Sequence, residues 1–103
     1  YTMTIVKAEE IKARIDAGEN VHLIDVREPD ERNDYNIGGI FLPLGNIQMM
    51  LIDEIEELKD EEVICYCRSG NRSVQACLML ETFGFTNVKN LEGGMNRWKE
   101  KYS

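Results

Sequence analysis

Cys67 and the residues after it, Arg68-Ser69-Gly70-Asn71-Arg72-Ser73, place a thiol, two guanidinium groups and a turn-permitting glycine in one short stretch. Val63 to Cys67 is a continuous apolar run of strand type, and Ser73 to Phe83 has the spacing of a helix that Gly84 ends. The thiol therefore sits where a strand stops and a helix starts. Free N–H groups of the loop and of the first helical turn converge there, with the positive end of the helix dipole behind them. A thiol so placed loses its proton readily, and the thiolate is the nucleophile. Between Val63 and Leu80 there is no acid, while Arg68 and Arg72 add positive charge, so the stretch is locally cationic and suits a small anionic substrate. No histidine base is required.

The remaining reactive side chains read as structural. His22, the single histidine, belongs to a separate strand. Cys77 shares a helical face with Ser73, Ala76, Leu80 and Gly84, which reads as core. Cys65 precedes Cys67 by two positions, and the turn at Cys67 is expected to part the two side chains. Three cysteines are too few and too closely spaced for a disulfide framework, so all three read as free thiols.

The elements that must carry this loop alternate along the chain. Helices are expected at Ala8 to Ala17 (with Lys7 a poor N-cap and Gly18 the stop), Pro29 to Asp34, Ile47 to Leu58, Ser73 to Phe83 and Met95 to Lys101. Strands are expected at Val21 to Asp25, Ile40 to Leu42, Val63 to Cys67 and Asn87 to Leu91. Such alternation predicts an α/β domain with a mainly parallel sheet, helices on both faces and a ligand site at the carboxyl ends of the strands. A chain of 103 residues makes one domain with one core. The longest apolar run, Ala76 to Leu80, is too short to span a bilayer, and no signal peptide is evident, so a cytoplasmic protein is expected. The net charge of -7 argues against nucleic-acid binding. Seven acids and one lysine between Asp53 and Glu62 hold most of that charge, which reads as one solvated helix face.

Three ordered stretches carry a resemblance. Leu23-Ile24-Asp25-Val26-Arg27-Glu28-Pro29, Cys67-Arg68-Ser69-Gly70-Asn71-Arg72-Ser73 and Gly93-Gly94-Met95-Asn96-Arg97-Trp98 are similar to the signatures of single-domain rhodaneses, a sulfurtransferase family, and the similarity spans residues 1–103. It implies a five-stranded, mainly parallel rhodanese-like fold. It also implies a persulfide on Cys67, a sulfur cradle formed by Arg68, Ser69, Gly70, Asn71 and Arg72, and no metal or organic cofactor. In relatives an arginine at the place of Arg27 helps with substrate, and an aspartate at that of Asp25 steadies the loop; a structural ion pair is the competing reading. Ser73 is expected to support the loop. Gly93, Gly94 and Trp98 read as a turn and a packing anchor.

Asn36-Ile37-Gly38-Gly39-Ile40, followed by Leu42-Pro43-Leu44-Gly45, departs from the common family pattern. The variant resembles rhodanese domains attached to adenylyltransferases that activate sulfur carriers. The implied partners are a small anionic donor such as thiosulfate, and a sulfur-carrier protein or adenylyltransferase. Two other function classes compete. A cysteine phosphatase or arsenate reductase of related fold has a loop one residue longer than the four residues between Cys67 and Arg72, so phosphate fits poorly here. Non-catalytic interaction modules of this kind typically lack the cysteine.

Overall fold

The computed structural model describes residues 3–102. Strands β1 (Thr4–Val6), β2 (Leu23–Asp25), β3 (Ile40–Phe41), β4 (Glu62–Tyr66) and β5 (Asn87–Leu91) form one sheet in the order β1-β5-β4-β2-β3, with every neighbouring pair parallel. Helices α1 (Ala8–Asp16), α2 (Pro29–Asp34), α3 (Leu44–Gln48), α4 (Asn71–Thr82) and α5 (Gly94–Tyr102) lie between and after the strands.

Alternation along the strands divides the core in two. Ile24 and Val26, with Val63, Cys65 and Cys67, pack among Ile47, Ile55, Ala76, Cys77 and Leu80 of the α3 and α4 side. Leu23, Ile64 and Tyr66 face the other way, onto Ile11 of α1 and Met95 and Trp98 of α5. The central strand is thus buried on both faces, as its unbroken apolar run demands. Trp98 anchors its side with 5% exposure and an edge-on contact to Tyr102. No helix among the described residues is long and apolar enough to cross a membrane.

Four expectations need correction. The first strand, Thr4–Val6, is missing from the sequence reading; it is an edge strand of three residues in which only Val6 is buried, too short for alternation to reveal. The helix expected over Ile47 to Leu58 is two elements, α3 and a 3-10 helix at Asp53–Leu58. Ile47, Leu51, Ile55 and Leu58 match helical spacing, but Met50 takes a left-handed φ of 59° and the chain rotates. Ile52 is buried in place of Leu51, which is 54% exposed.

The third correction concerns the two neighbouring thiols. Cys65 and Cys67 pack in the same apolar cluster, so the turn does not part them. Ladder geometry continues past β2 to the end of β4, with the Val26 N–H donating to the Tyr66 carbonyl at 3.1 Å. The acidic run, lastly, is not one face. Glu62 opens β4 and accepts from Arg14 and Lys89, each at 2.6 Å, while the acids of the 3-10 helix are exposed.

The loop after β4 is fixed from below by α5. The N–H groups of Met95 and Asn96, in the first turn of that helix, donate to the carbonyls of Cys67 and Arg68, both at 2.9 Å. Close approach requires Gly94: a Cβ there would lie 2.3 Å from the Cys67 carbonyl oxygen, and its φ of +53° disfavours a side chain. Gly94→Ala is therefore expected to destabilise the fold by about 2–3 kcal/mol, roughly 10 °C or more in Tm for a domain of this size, measured by thermal denaturation.

Candidate active site

Strand β4 delivers Cys67 to the carboxyl edge of the sheet, and Gly70 turns the chain into α4. Gly70 is the N-cap, with a left-handed φ of 110° that a side chain would resist. The turn brings backbone donors around the sulfur. The Gly70 N–H donates to Cys67 Sγ at 3.0 Å and the Ser73 N–H at 3.4 Å, while Ser73 Oγ stands 3.4 Å away. Only 1% of Cys67 is exposed.

Burial alone would push this thiol up. The Ser73 hydroxyl, with the N–H groups of Ser73, Gly70 and Ser69, outweighs that cost and holds the Cys67 pKa below its ordinary value. Cys65 is in the opposite position: the neighbouring Cys77 thiol and complete burial push it well up, so it stays protonated. The fold thus separates the ionisable Cys67 from its neighbour Cys65 on the same strand end.

Ser73 is held in turn by a residue that sequence reasoning missed. Its hydroxyl donates to the side-chain oxygen of Asn90 on β5, and to the Gly70 carbonyl at 3.1 Å. The hydroxyl has one proton, so these acceptors and the sulfur share it in turn. Asn90 is 4% exposed and occupies a core-facing position two residues after Val88. A polar side chain at that position of a buried strand was the available signal.

The arginines are not where local charge suggested. Arg72 points its guanidinium to Glu31 of α2, Nη1 to Oε1 at 2.7 Å and Nη2 to Oε2 at 2.8 Å. These bonds raise the Arg72 pKa, with the charge of Cys67 contributing further, and they draw Glu31 down to about 2. A stretch that is cationic in sequence therefore carries an acid in space. Arg68, exposed and without a side-chain ion pair among the described residues, lines a pocket of about 330 Å3 together with Arg27, Glu31, Asp34 and Met95. Asn71 and Ser69 are exposed members of the loop.

Asp25 and Arg27 form the structural ion pair. Arg27 Nε and Nη2 donate to the two Asp25 oxygens at 2.9 and 3.0 Å, with exposures of 4% and 0%. Arg32 approaches the same carboxylate at 3.4 Å. Removing one member of such a buried pair costs about 3–5 kcal/mol. Asp25 bonds no loop residue among its side-chain contacts, whereas Arg27 reaches the pocket lining. His22 is remote, its ring 3.9 Å from Glu61 beside the opposite edge of the sheet.

Comparison with known proteins places this geometry. A family model described as "Rhodanese-like domain" matches residues 7–101. The Bacillus subtilis protein YtwF is 40% identical over 91 residues, covering 86% of this chain and 84% of its own. A protein of Allochromatium vinosum named "Sulfurtransferase" is 38% identical over 94 residues, covering 90% and 85%. The solved structure of the human single-domain sulfurtransferase TSTD1 superposes with a TM-score of 0.81 at 24% identity over 99% of this chain and 100% of that one, which supports the fold. By its family match and its similarity to these proteins, the chain belongs to the rhodanese-like domain family.

Proposed function

We propose that the chain is a sulfurtransferase that carries sulfur as a persulfide on Cys67, from a small anionic donor such as thiosulfate to a thiol acceptor. The carrying observation is the Cys67 sulfur at the start of α4, held by the Gly70 and Ser73 N–H groups and depressed in pKa. In the first half-reaction the thiolate attacks the outer sulfur of thiosulfate. The donor S–S bond breaks, sulfite leaves with the electron pair, and the negative charge passes to the terminal sulfur on Cys67. In the second, an acceptor thiolate attacks that sulfur and the pair of the breaking S–S bond returns to Cys67. No proton or outside electron is needed. The backbone donors on Cys67 Sγ would stabilise the terminal sulfur as well, each well-placed N–H contributing about 3 kcal/mol by analogy with oxyanion holes.

The names of relatives support this reading. A human protein named "Thiosulfate:glutathione sulfurtransferase" is 26% identical over 110 residues, covering 95% of this chain and 95% of its own. The Debaryomyces hansenii protein named "Adenylyltransferase and sulfurtransferase UBA4" is 34% identical over 93 residues, of which this chain spans 20%. A sulfur-carrier protein or its adenylyltransferase is accordingly the macromolecular partner we propose. Three free thiols, all buried, suit a reducing compartment such as the cytoplasm.

Intact-mass measurement after thiosulfate treatment is expected to show one added sulfur atom, lost on cyanide or thiol addition. Cys67→Ser should abolish it, while Cys65→Ala and Cys77→Ala retain it; persistence of the added sulfur in Cys67→Ser would refute the mechanism. The Ser73 hydroxyl favours the charged form of Cys67, so its removal must raise the thiol pKa. Ser73→Ala should move the rising limb of the pH–rate profile for persulfide formation to higher pH and lower the rate below the midpoint several-fold.

A further inference from the structure

Arg72 is the loop cation nearest in sequence to the start of α4, and its pairing with Glu31 is bidentate across two elements. Glu31 is set for the task. It is the third residue of α2, and its Oε1 also accepts the Glu28 N–H at 3.0 Å in a reciprocal cap. The same carboxylate lines the pocket that Arg27 and Arg68 share. An anion approaching Arg72 thus meets a carboxylate already seated on it.

We infer that Glu31 selects donors by charge: its carboxylate is an internal anion on Arg72, and the site takes sulfane donors of low charge in preference to dianions. This rests on the sulfur-transfer reading above and names the donor class. A dianion gains most from Arg72 and so must displace Glu31, a population tax on its binding. A monoanion such as an aryl thiosulfonate, or a persulfide, depends less on that arginine. Cys67 attacks its outer sulfur, the sulfonyl–sulfur bond breaks, and a sulfinate leaves with the electron pair. A purely mechanical tie between α2 and the loop makes the opposite prediction, because loosening it would impair every donor alike.

Alkylation of Cys67 by anionic iodoacetate and by neutral iodoacetamide, followed by peptide mass, tests charge selection without any sulfur chemistry. Glu31→Gln retains the helix cap, since glutamine serves there as well as glutamate. It is expected to raise the iodoacetate-to-iodoacetamide rate ratio about fivefold, the scale of a part-exposed ion pair. The gain should vanish in Glu31→Gln with Arg72→Gln. Asp30→Asn, which removes a pocket acid that has no ion-pair partner among the described residues, should move the ratio less than about twofold. Preference for thiosulfate over a monoanionic aryl thiosulfonate in kcat/KM should rise with the alkylation ratio. A ratio unchanged in Glu31→Gln, or raised equally in Asp30→Asn, overturns the inference. Absence of persulfide with both donors overturns the sulfur-transfer reading instead, and the alkylation ratio still decides whether Glu31 selects charge at Cys67.

Discussion

Lowering the pKa of a cysteine that is only 1% exposed is the constraint around which this site is arranged. Burial opposes ionisation, so the charge exists only where fixed dipoles replace the water it has lost. Those dipoles are the Ser73 hydroxyl, which contributes most, and the backbone N–H groups of Ser73, Gly70 and Ser69. Backbone donors do not titrate and cannot swing away. Their position follows from the left-handed turn at Gly70, from the place where α4 begins, and from the sheet register that sets the height of Cys67.

The charged side chains are occupied with one another. Arg27 is committed to the buried Asp25, and Arg72 to Glu31, leaving Arg68 on the rim. The pocket thus holds the paired Arg27 and the carboxylate of Glu31 beside Arg68, which limits its positive potential. Long-range attraction of any anion is weak for a chain of net charge -7.

Features encoded by neighbours in sequence were legible, and those that depend on distant partners were not. The loop from Cys67 to Ser73 could be placed because strand, turn glycine and helix lie within one continuous stretch, so that sulfur and donors share local geometry. The parallel sheet followed from alternation alone. Asn90 and Glu31 escaped because each meets the loop from another element, and nothing local marks Asn90 as the partner of Ser73 or Glu31 as that of Arg72. Local charge misled for the same reason. The break at Met50 escaped because four apolar residues kept a helical rhythm through it, and only the packing of Ile52 shows which residue the core accepted.

The carbonyl groups of Cys67 and Arg68 are satisfied by α5, which the ribosome delivers only after every strand of the sheet has been made. Until then the loop after β4 has its cysteine but not its floor. The turn that carries Cys67 is therefore complete only when a helix far along the chain docks and clamps it. The order of the elements along the chain couples completion of the Cys67 turn to the docking of the last described helix.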